Sequence, residues 1–284
     1  MSGRLRLAVF QSAPVLRDPE ENARRIAEAA GRTRADLVLT PELSLTGYDV
    51  GDDAARLAVV AQVGGAAPFA GLGEAAVLVG LVERGEAGLH YNTAALVRDG
   101  RIAFRHRKLY LPTYGMFDEG RIFARGAELG TFDAAEGWRA GVLICEDLWH
   151  PALAYVLAMS GIHLLLVQAA APGRGVAEGG EAGGRFASWD VWERIVRVTA
   201  QLYGIYVALA NRAGVEGAVT FAGGSLIAGP DGSVLARGPE EGEAVLEAEL
   251  DADEVRRART PGAHLRDDDP RLTLRLLARL VGEP

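Results

Sequence analysis

Two stretches of the chain share one plan, a strand, a helix and then a short apolar strand, and this repeated plan most constrains the fold. The first stretch runs from RLRLAVFQ through DPEENARRIAEAAGRTRA to ADLVLTPE. The second runs from WRAGVLICED through LWHPALAYVLAMSG to IHLLLVQAAAP. Strands without a polar face are typical of sheets that are covered on both sides. The pattern therefore predicts an α/β fold with internal pseudo-symmetry.

The other segments add strands and helices without a linker between them. We predict strands in AAVLVGLVER, IYVALANRAG and AVLEAELD, a helix in ASWDVWERIVRVTAQLYG, and hairpins that turn at RDG and PDG. Asp251 is the expected N-cap of a further short helix. The chain is thus predicted to form a single domain over residues 1–284, with two sheets and helices outside them. The tail 267–284 ends in an amphipathic helix.

Composition excludes several classes of function. The chain of 284 residues has a formal net charge of -8, which argues against a nucleic-acid partner. A single cysteine cannot form an internal disulfide, so we expect a reducing, cytoplasmic compartment. The start of the chain does not read as a signal peptide, and the longest apolar run is too short for a membrane span. No membrane association is expected.

The only cysteine, Cys145, lies where a predicted buried strand ends and two acidic residues begin. A buried cysteine often serves as a small hydrophobic residue. The alternative is a nucleophile, which needs a base and donors for an oxyanion. None of the five histidines stands in an arrangement typical of a Cys–His pair, and one cysteine with scattered histidines lacks the spacing of a zinc site.

Two charged residues stand out by position. Glu42 follows the apolar run LVLT and Pro41, so its carboxylate, at a strand end, could accept the thiol proton; the alternative is an acid that starts a helix. Lys108, in FRHRKLYLPTYGMFDEGRIF, could supply a fixed positive charge to an oxyanion. It could equally be a solvated lysine, although its segment carries many large apolar side chains for a surface turn.

The segments PELSLTGY, HRKLYLPTYGMFDEGRIF and GVLICEDLWHP together resemble the three signature blocks of the nitrilase superfamily of carbon–nitrogen hydrolases. The middle block and ICEDLW are similar to the glutamine-amidase domain of glutamine-dependent NAD synthetases. This sequence ends at Pro284 with no synthetase domain, so a stand-alone amidase is expected. The resemblance implies a four-layer α-β-β-α sandwich and, commonly for the family, a homodimer.

The resemblance also implies a mechanism. Glu42, Lys108 and Cys145 would form the family's catalytic triad, with Glu119 as an auxiliary glutamate. Glu42 takes the thiol proton, and Lys108 and the backbone N–H of Glu146 hold the oxyanion of a thioester-forming step. Water, activated by Glu42, then hydrolyses the thioester. No metal or organic cofactor is implied.

The substrate pocket is expected on loops that follow strands. We predict that it is lined by Tyr48, Tyr114, Trp149, Gln168, Ala169 and Arg174. Arg174 could hold a substrate carboxylate, or it could simply be exposed. The glycine-rich loop 173–184 is a candidate lid. The expected substrate is a small linear amide or N-carbamoyl compound; the alternatives are a nitrile, or glutamine hydrolysed to supply ammonia to a partner synthetase.

Overall fold

A computed structural model describes residues 3–69, 75–175, 186–261 and 263–282. Two six-stranded sheets and a small hairpin make up its β structure. The strands are β1 (Arg4–Gln11), β2 (Leu37–Leu39), β3 (Ala76–Arg84), β4 (His90–Arg98), β5 (Arg101–Arg107), β6 (Thr131–Ala135), β7 (Trp138–Ile144), β8 (Leu164–Ala169), β9 (Tyr206–Asn211), β10 (Ala213–Glu216), β11 (Val219–Ala222), β12 (Leu226–Ala228), β13 (Val234–Arg237) and β14 (Ala244–Asp251).

Among the described residues, six α-helices connect or follow the strands. They are α1 (Pro19–Gly31), α2 (Ala54–Leu57), α3 (Pro151–Met159), α4 (Ala187–Tyr203), α5 (Ala252–Arg259) and α6 (Pro270–Val281). Asp18 caps α1 by accepting from the backbone N–H of Glu21, and Asp251 caps α5 in the same way through Asp253. The predicted cap of the short helix is therefore present.

The two sheets have equivalent topologies. The first has the order β14-β1-β2-β3-β4-β5 and the second β13-β12-β9-β8-β7-β6. In each sheet the three central strands are parallel, β1-β2-β3 in one and β7-β8-β9 in the other, and the outer strands are antiparallel. The carboxyl ends of the parallel strands therefore lie together at one end of each sheet. This arrangement is the predicted pseudo-symmetry.

Alternate residues of β1 explain its apolar run from Leu7 to Phe10, which follows the exposed Arg4 and Arg6. Leu7 and Val9 pack into the core between the two sheets, whereas Ala8 and Phe10 pack into the core beneath α1. Burial of both faces removes apolar area from water at about 25 cal/mol per Å², so a continuous apolar run is favoured. The four-layer sandwich of two mixed sheets with helices outside, predicted above, is confirmed.

Several element boundaries differ from the prediction. The strand predicted in WRAGVLICED ends at Ile144, because residues 145–149 form a 3-10 turn, and the following helix begins only at Pro151. The strand β6 and the hairpin β10-β11 were not predicted. Of the candidate lid 173–184, residues 176–184 lie outside the described residues, and the single-domain assignment stays a prediction.

Candidate active site

The three proposed catalytic side chains meet where strands of both sheets end. Glu42 follows β2, Lys108 follows β5, and Cys145 follows β7. Gly80 of β3 lets the turn after Glu42 approach closely, since a Cβ at Gly80 would lie 2.3 Å from the backbone nitrogen of Leu43. The backbone N–H of Leu45 donates to the Gly80 carbonyl at 3.0 Å, which fixes that turn on β3.

Lys108 is the centre of a buried charge network. Its Nζ lies 2.7 Å from Glu42 Oε1 and 2.7 Å from Glu119 Oε1, and all three residues are buried. Burial alone would lower the pKa of Lys108, but the charges of Glu42 and Glu119 outweigh it and raise that pKa well above its usual value. Lys108 therefore keeps its proton and acts as a fixed cation.

The Glu42 carboxylate is held by two donors in addition to Lys108. Besides Lys108, Asn92 Nδ2 of β4 donates to Oε1 at 2.7 Å, and the backbone N–H of Ala170, just after β8, donates to Oε2 at 3.0 Å. Donors from the first sheet, Lys108 and Asn92, thus orient Oε1, and the backbone N–H of Ala170 from the second sheet orients Oε2. Asn92 was missed by sequence analysis, because His90 and Thr93 lie beside it in β4 and no single polar residue of that strand stands out.

Cys145 occupies a strained backbone position. Its φ is +46°, a value that non-glycine residues rarely adopt and that concentrates at functional sites. Burial, and then the charge of Glu42, raise the pKa of the thiol well above its usual value, whereas Lys108 and the backbone N–H of Ala170 act in the opposite direction. At neutral pH the resting thiol is therefore protonated and needs a base.

Asp147 holds the turn that carries Cys145. Its Oδ1 accepts from the backbone N–H groups of Leu109 and Tyr110 at 3.0 and 2.9 Å, and its Oδ2 accepts from the backbone N–H of Ile144 at 3.1 Å. The Nε2 atom of His106 lies 3.0 Å from the same Oδ2. This fully buried carboxylate thus joins the turn after β7 to the segment after Lys108.

Glu119 is the second carboxylate that contacts Lys108 Nζ. The hydroxyl of Tyr48 donates to its Oε1 at 2.5 Å, and its buried Oε2 has no hydrogen-bond partner among the described residues. Burial raises the pKa of Glu119 to about 7, against the opposing effects of Lys108 and the Tyr48 hydroxyl. Glu119 therefore changes protonation near neutral pH.

A cavity of about 330 Å³ opens onto Cys145. Three of the predicted pocket residues lie on its wall, namely Tyr114, Trp149 and Arg174. The Tyr114 hydroxyl donates to Glu146 Oε2 at 2.7 Å, and the Arg174 guanidinium lies 5.3 Å from the Phe117 ring centroid. The wall also contains residues that sequence analysis did not select: Phe117, Ala171, Pro172, Ser188, Val191 and Trp192.

The other predicted pocket residues lie elsewhere. Gln168 is fully buried between the sheets, with Nε2 3.2 Å from the Leu78 carbonyl, and Ala169 is buried beside it. Tyr48 contacts Glu119 and lines a separate cavity of about 330 Å³. The side chain of a strand residue points to one face only, so proximity to a strand end did not decide which side chains face Cys145.

Within the described ranges, no group of three or more His, Cys, Asp or Glu side chains is arranged to hold a metal ion. In the same ranges, no helix is both long and apolar enough to pass through a membrane.

Glu42, Lys108 and Cys145 thus lie buried together where strands of two mixed sheets end. Residues 6–260 match the carbon-nitrogen hydrolase family, and the chain is a member of that family. The chain therefore belongs to a class of enzymes that act on carbon–nitrogen bonds. The family resemblance predicted from the three sequence blocks is confirmed.

Three relatives illustrate the range of this similarity. The glutamine-dependent NAD(+) synthetase of Thermotoga maritima is 32% identical over 266 residues, which is 88% of this chain but 43% of that protein. The chain thus spans less than half the length of this relative.

Two solved structures match most of both chains. The carbon-nitrogen hydrolase from Helicobacter pylori G27 is 26% identical with a TM-score of 0.79, covering 97% of this chain and 99% of that one. A glutamate-to-glutamine mutant of the amidase from Nesterenkonia sp. AN1 is 26% identical with a TM-score of 0.71, over 92% and 95% of the chains. That amidase carries the acetamide moiety of fluoroacetamide on its active-site cysteine.

Proposed function

We propose that this chain hydrolyses the carbon–nitrogen bond of a small linear amide or N-carbamoyl compound through a thioester on Cys145. The observation that carries the proposal is the ion pair of Glu42 and Lys108, buried beside a cysteine at the base of a cavity. Burying a charge costs free energy, so buried charges are usually paired with each other or used in a reaction. Here the two charges match the two needs of acyl transfer, a base and an oxyanion partner.

The side chains of Glu42, Lys108 and Cys145 and the backbone N–H of Glu146 divide the steps of the proposed reaction. Glu42 accepts the thiol proton as Sγ of Cys145 bonds to the carbonyl carbon, and Lys108 with the backbone N–H of Glu146 stabilises the oxyanion. Glu42 returns the proton to the leaving nitrogen as the carbon–nitrogen bond breaks. A water molecule then gives its proton to Glu42 and attacks the thioester, which releases the acid and the Cys145 thiol.

The protonation states support this division of roles. Lys108 keeps its proton because two carboxylates raise its pKa, so it cannot be the base. The carboxylate of Glu42 is oriented by three donors and influences the thiol directly. Glu119 contributes a second carboxylate contact that holds Lys108 in place.

The wall of the cavity favours a substrate with a charged end. Arg174 offers a cation for a carboxylate, while Glu146, held by Tyr114, offers an anion. The two together suit the zwitterionic end of an amino-acid amide. Glutamine is therefore a second candidate substrate, and a nitrile is a third, because the same triad could attack C≡N.

A panel of substrates tests the proposal by ammonia release. It contains neutral aliphatic amides, glutamine and other ω-amides, N-carbamoyl amino acids, and nitriles. We expect release from amide or carbamoyl compounds, and loss to background in Cys145→Ala, since removing a nucleophile costs about 10⁶-fold. Activity of Cys145→Ala at the wild-type rate would disprove the mechanism, and release from nitriles alone would favour the nitrilase alternative.

An Arg174→Gln variant tests whether Arg174 binds a carboxylate at one end of the substrate. We expect KM to rise about tenfold to a hundredfold for substrates with a carboxylate, the range for a charged hydrogen bond, and to stay unchanged for neutral amides. Equal effects on both groups would show that Arg174 does not select a carboxylate.

We further propose a homodimer that uses α4 and the tail 267–284, in the cytoplasm. Exposed apolar side chains on both helices support the dimer, and the single cysteine supports a reducing compartment. A partner synthetase that receives ammonia is proposed only with the glutamine substrate, by analogy with the matched NAD synthetases. Glutaminase activity that rises when such a partner is added would support it.

A further inference from the structure

Tyr48 connects the proposed catalytic charges to a distant part of the chain. Its hydroxyl donates to the same oxygen of Glu119 that contacts Lys108 Nζ. Because Glu119 Oε1 accepts from both groups, a displacement of the Tyr48 phenol changes the hydrogen bonding of Glu119 and, through it, the surroundings of Lys108. The position of the Tyr48 phenol therefore matters to the charge network.

The backbone of Tyr48 is held by one carboxylate, that of Glu216 at the end of β10. The Tyr48 N–H donates to Glu216 Oε1 at 3.0 Å, and the Asp49 N–H donates to the same oxygen at 2.6 Å. The preceding Gly47 has φ +78°, and a Cβ there would lie 2.8 Å from Glu216 Oε2. A glycine at position 47 is thus required for Glu216 to approach the Tyr48 backbone.

The ring of Tyr48 is held from the same segment. Its centroid lies 6.1 Å from that of Phe221, and the guanidinium of Arg212 lies 4.0 Å from the Phe221 centroid. Arg212 also forms a buried ion pair with Glu216. Both members of the ion pair therefore hold Tyr48. Glu216 accepts from the Tyr48 backbone N–H, and Arg212 stacks on Phe221, whose ring packs against Tyr48.

A buried ion pair by itself is weak evidence for stability, since desolvation of both charges offsets their attraction. This pair instead uses its carboxylate to orient two backbone N–H groups beside the active site. We propose that Glu216 is a positioning residue of this enzyme, which acts through Tyr48 on Glu119 and Lys108. The inference rests on the proposed function for its catalytic meaning.

The test measures how fast iodoacetamide alkylates Cys145 as a function of pH, a readout that needs no substrate. Ionisation of Glu119 raises the pKa of the thiol, so the rate rises less steeply above the pH at which Glu119 ionises, about 7. The Tyr48 hydrogen bond lowers the pKa of Glu119. Tyr48→Phe should therefore move this inflection upward by about one pH unit.

If Glu216 acts through Tyr48, Glu216→Gln moves the inflection in the same direction, and the double variant moves it no further than Tyr48→Phe alone. Arg212→Lys, which keeps the charge but loses the planar stacking group, serves as a milder variant if Glu216→Gln does not fold; it should shift the inflection partway. Glu249→Gln is the matched control, because Glu249 is an exposed acid on the edge strand β14 and pairs with Arg4.

An unshifted inflection in both Glu216→Gln and Arg212→Lys, or additive shifts in the double variant, would overturn the positioning role. The panel of substrates is read separately. Ammonia release with an unshifted inflection contradicts only this inference, whereas a shifted inflection without release from any substrate contradicts only the proposed hydrolysis. In an active enzyme, kcat/KM should show the same displacement with pH.

Discussion

At the scale of single residues, the thiol of Cys145 is surrounded by groups that disfavour its ionisation. Burial and the charge of Glu42 raise its pKa, and only Lys108 and the backbone N–H of Ala170 oppose them among the main influences. A cysteine so placed does not rest as a thiolate. The proton must pass to Glu42 as the sulfur attacks, which makes the position of Glu42 decisive.

The first prediction separates the two effects of Glu42 on the thiol. Glu42→Gln removes the negative charge that raises the pKa of Cys145 while Lys108 stays in place. We expect the pH midpoint for alkylation of Cys145 to move to lower pH, while ammonia release falls by about 10³-fold or more because the base is lost.

Glu119→Gln is the control for this prediction, because it also removes a buried carboxylate beside Lys108 but leaves the proposed base intact. Its loss of turnover should be smaller than that of Glu42→Gln. Turnover that survives in Glu42→Gln would assign the base to another group.

At the scale of elements, the site depends on how the turn after β7 is joined to the segment after β5. Asp147 makes this connection through four donors, three of them backbone N–H groups. Its position in a run of two acids does not show which donors it accepts from. Only the pairing of segments about forty residues apart showed which donors it satisfies.

The second prediction concerns this connection. Asp147→Asn replaces one acceptor oxygen by a donor, so at least one buried N–H loses its partner. We expect the free energy of unfolding to fall by about 1–3 kcal/mol. Urea unfolding should show a lower midpoint with an unchanged slope.

Asp118→Asn is the matched control, since Asp118 is an exposed acid on the neighbouring segment and pairs only with the exposed Arg121 among the described residues. Its unfolding midpoint should stay close to that of the wild type. Equal midpoints for Asp147→Asn and the wild type would show that the turn does not depend on this carboxylate.

The elements that sequence analysis found and missed differ in a physical way. The apolar strands β2 and β8 and the helix α1 carry strong local patterns and caps. The strand β6, with sequence TFDAA, and the hairpin β10-β11 have weak patterns, and their pairing with neighbours defines them. Pairing with the neighbouring strand, β7 for β6 and β11 for β10, defines such segments more than their local preference does.

At the scale of the whole molecule, α6 presents an uncovered apolar surface. None of the side chains that the structure describes in this helix is buried, and its exposed apolar residues are Leu272, Leu274, Leu276, Leu277, Leu280 and Val281. Exposed apolar residues also lie on α4, at Val198 and Leu202. Contiguous patches of this kind mark interaction surfaces, which fits the proposed dimer.

The third prediction tests that dimer. Leu280 is 82% exposed, so Leu280→Glu removes no packing within one protomer but places a charge on the proposed interface. We expect the dissociation constant of the dimer to rise about tenfold or more, measured by sedimentation over a range of concentrations. Arg279→Glu, on the same helix, should change it less. Dissociation constants equal to the wild type in both variants would exclude α6 from the interface.

Apolar runs and caps in the sequence predicted the α/β elements, while the resemblance to the nitrilase superfamily supplied the four-layer arrangement and the choice of Glu42, Lys108 and Cys145 as proposed catalytic residues. Apolar alternation, caps and strand ends are local properties, and Glu42, Lys108 and Cys145 each follow a segment whose type can be read locally. The tertiary structure alone decided which side chains face Cys145, how Asp147 and Asn92 hold the site, and how Glu216 reaches Tyr48. These contacts join segments far apart in the chain, and the direction of each side chain depends on packing against both sheets.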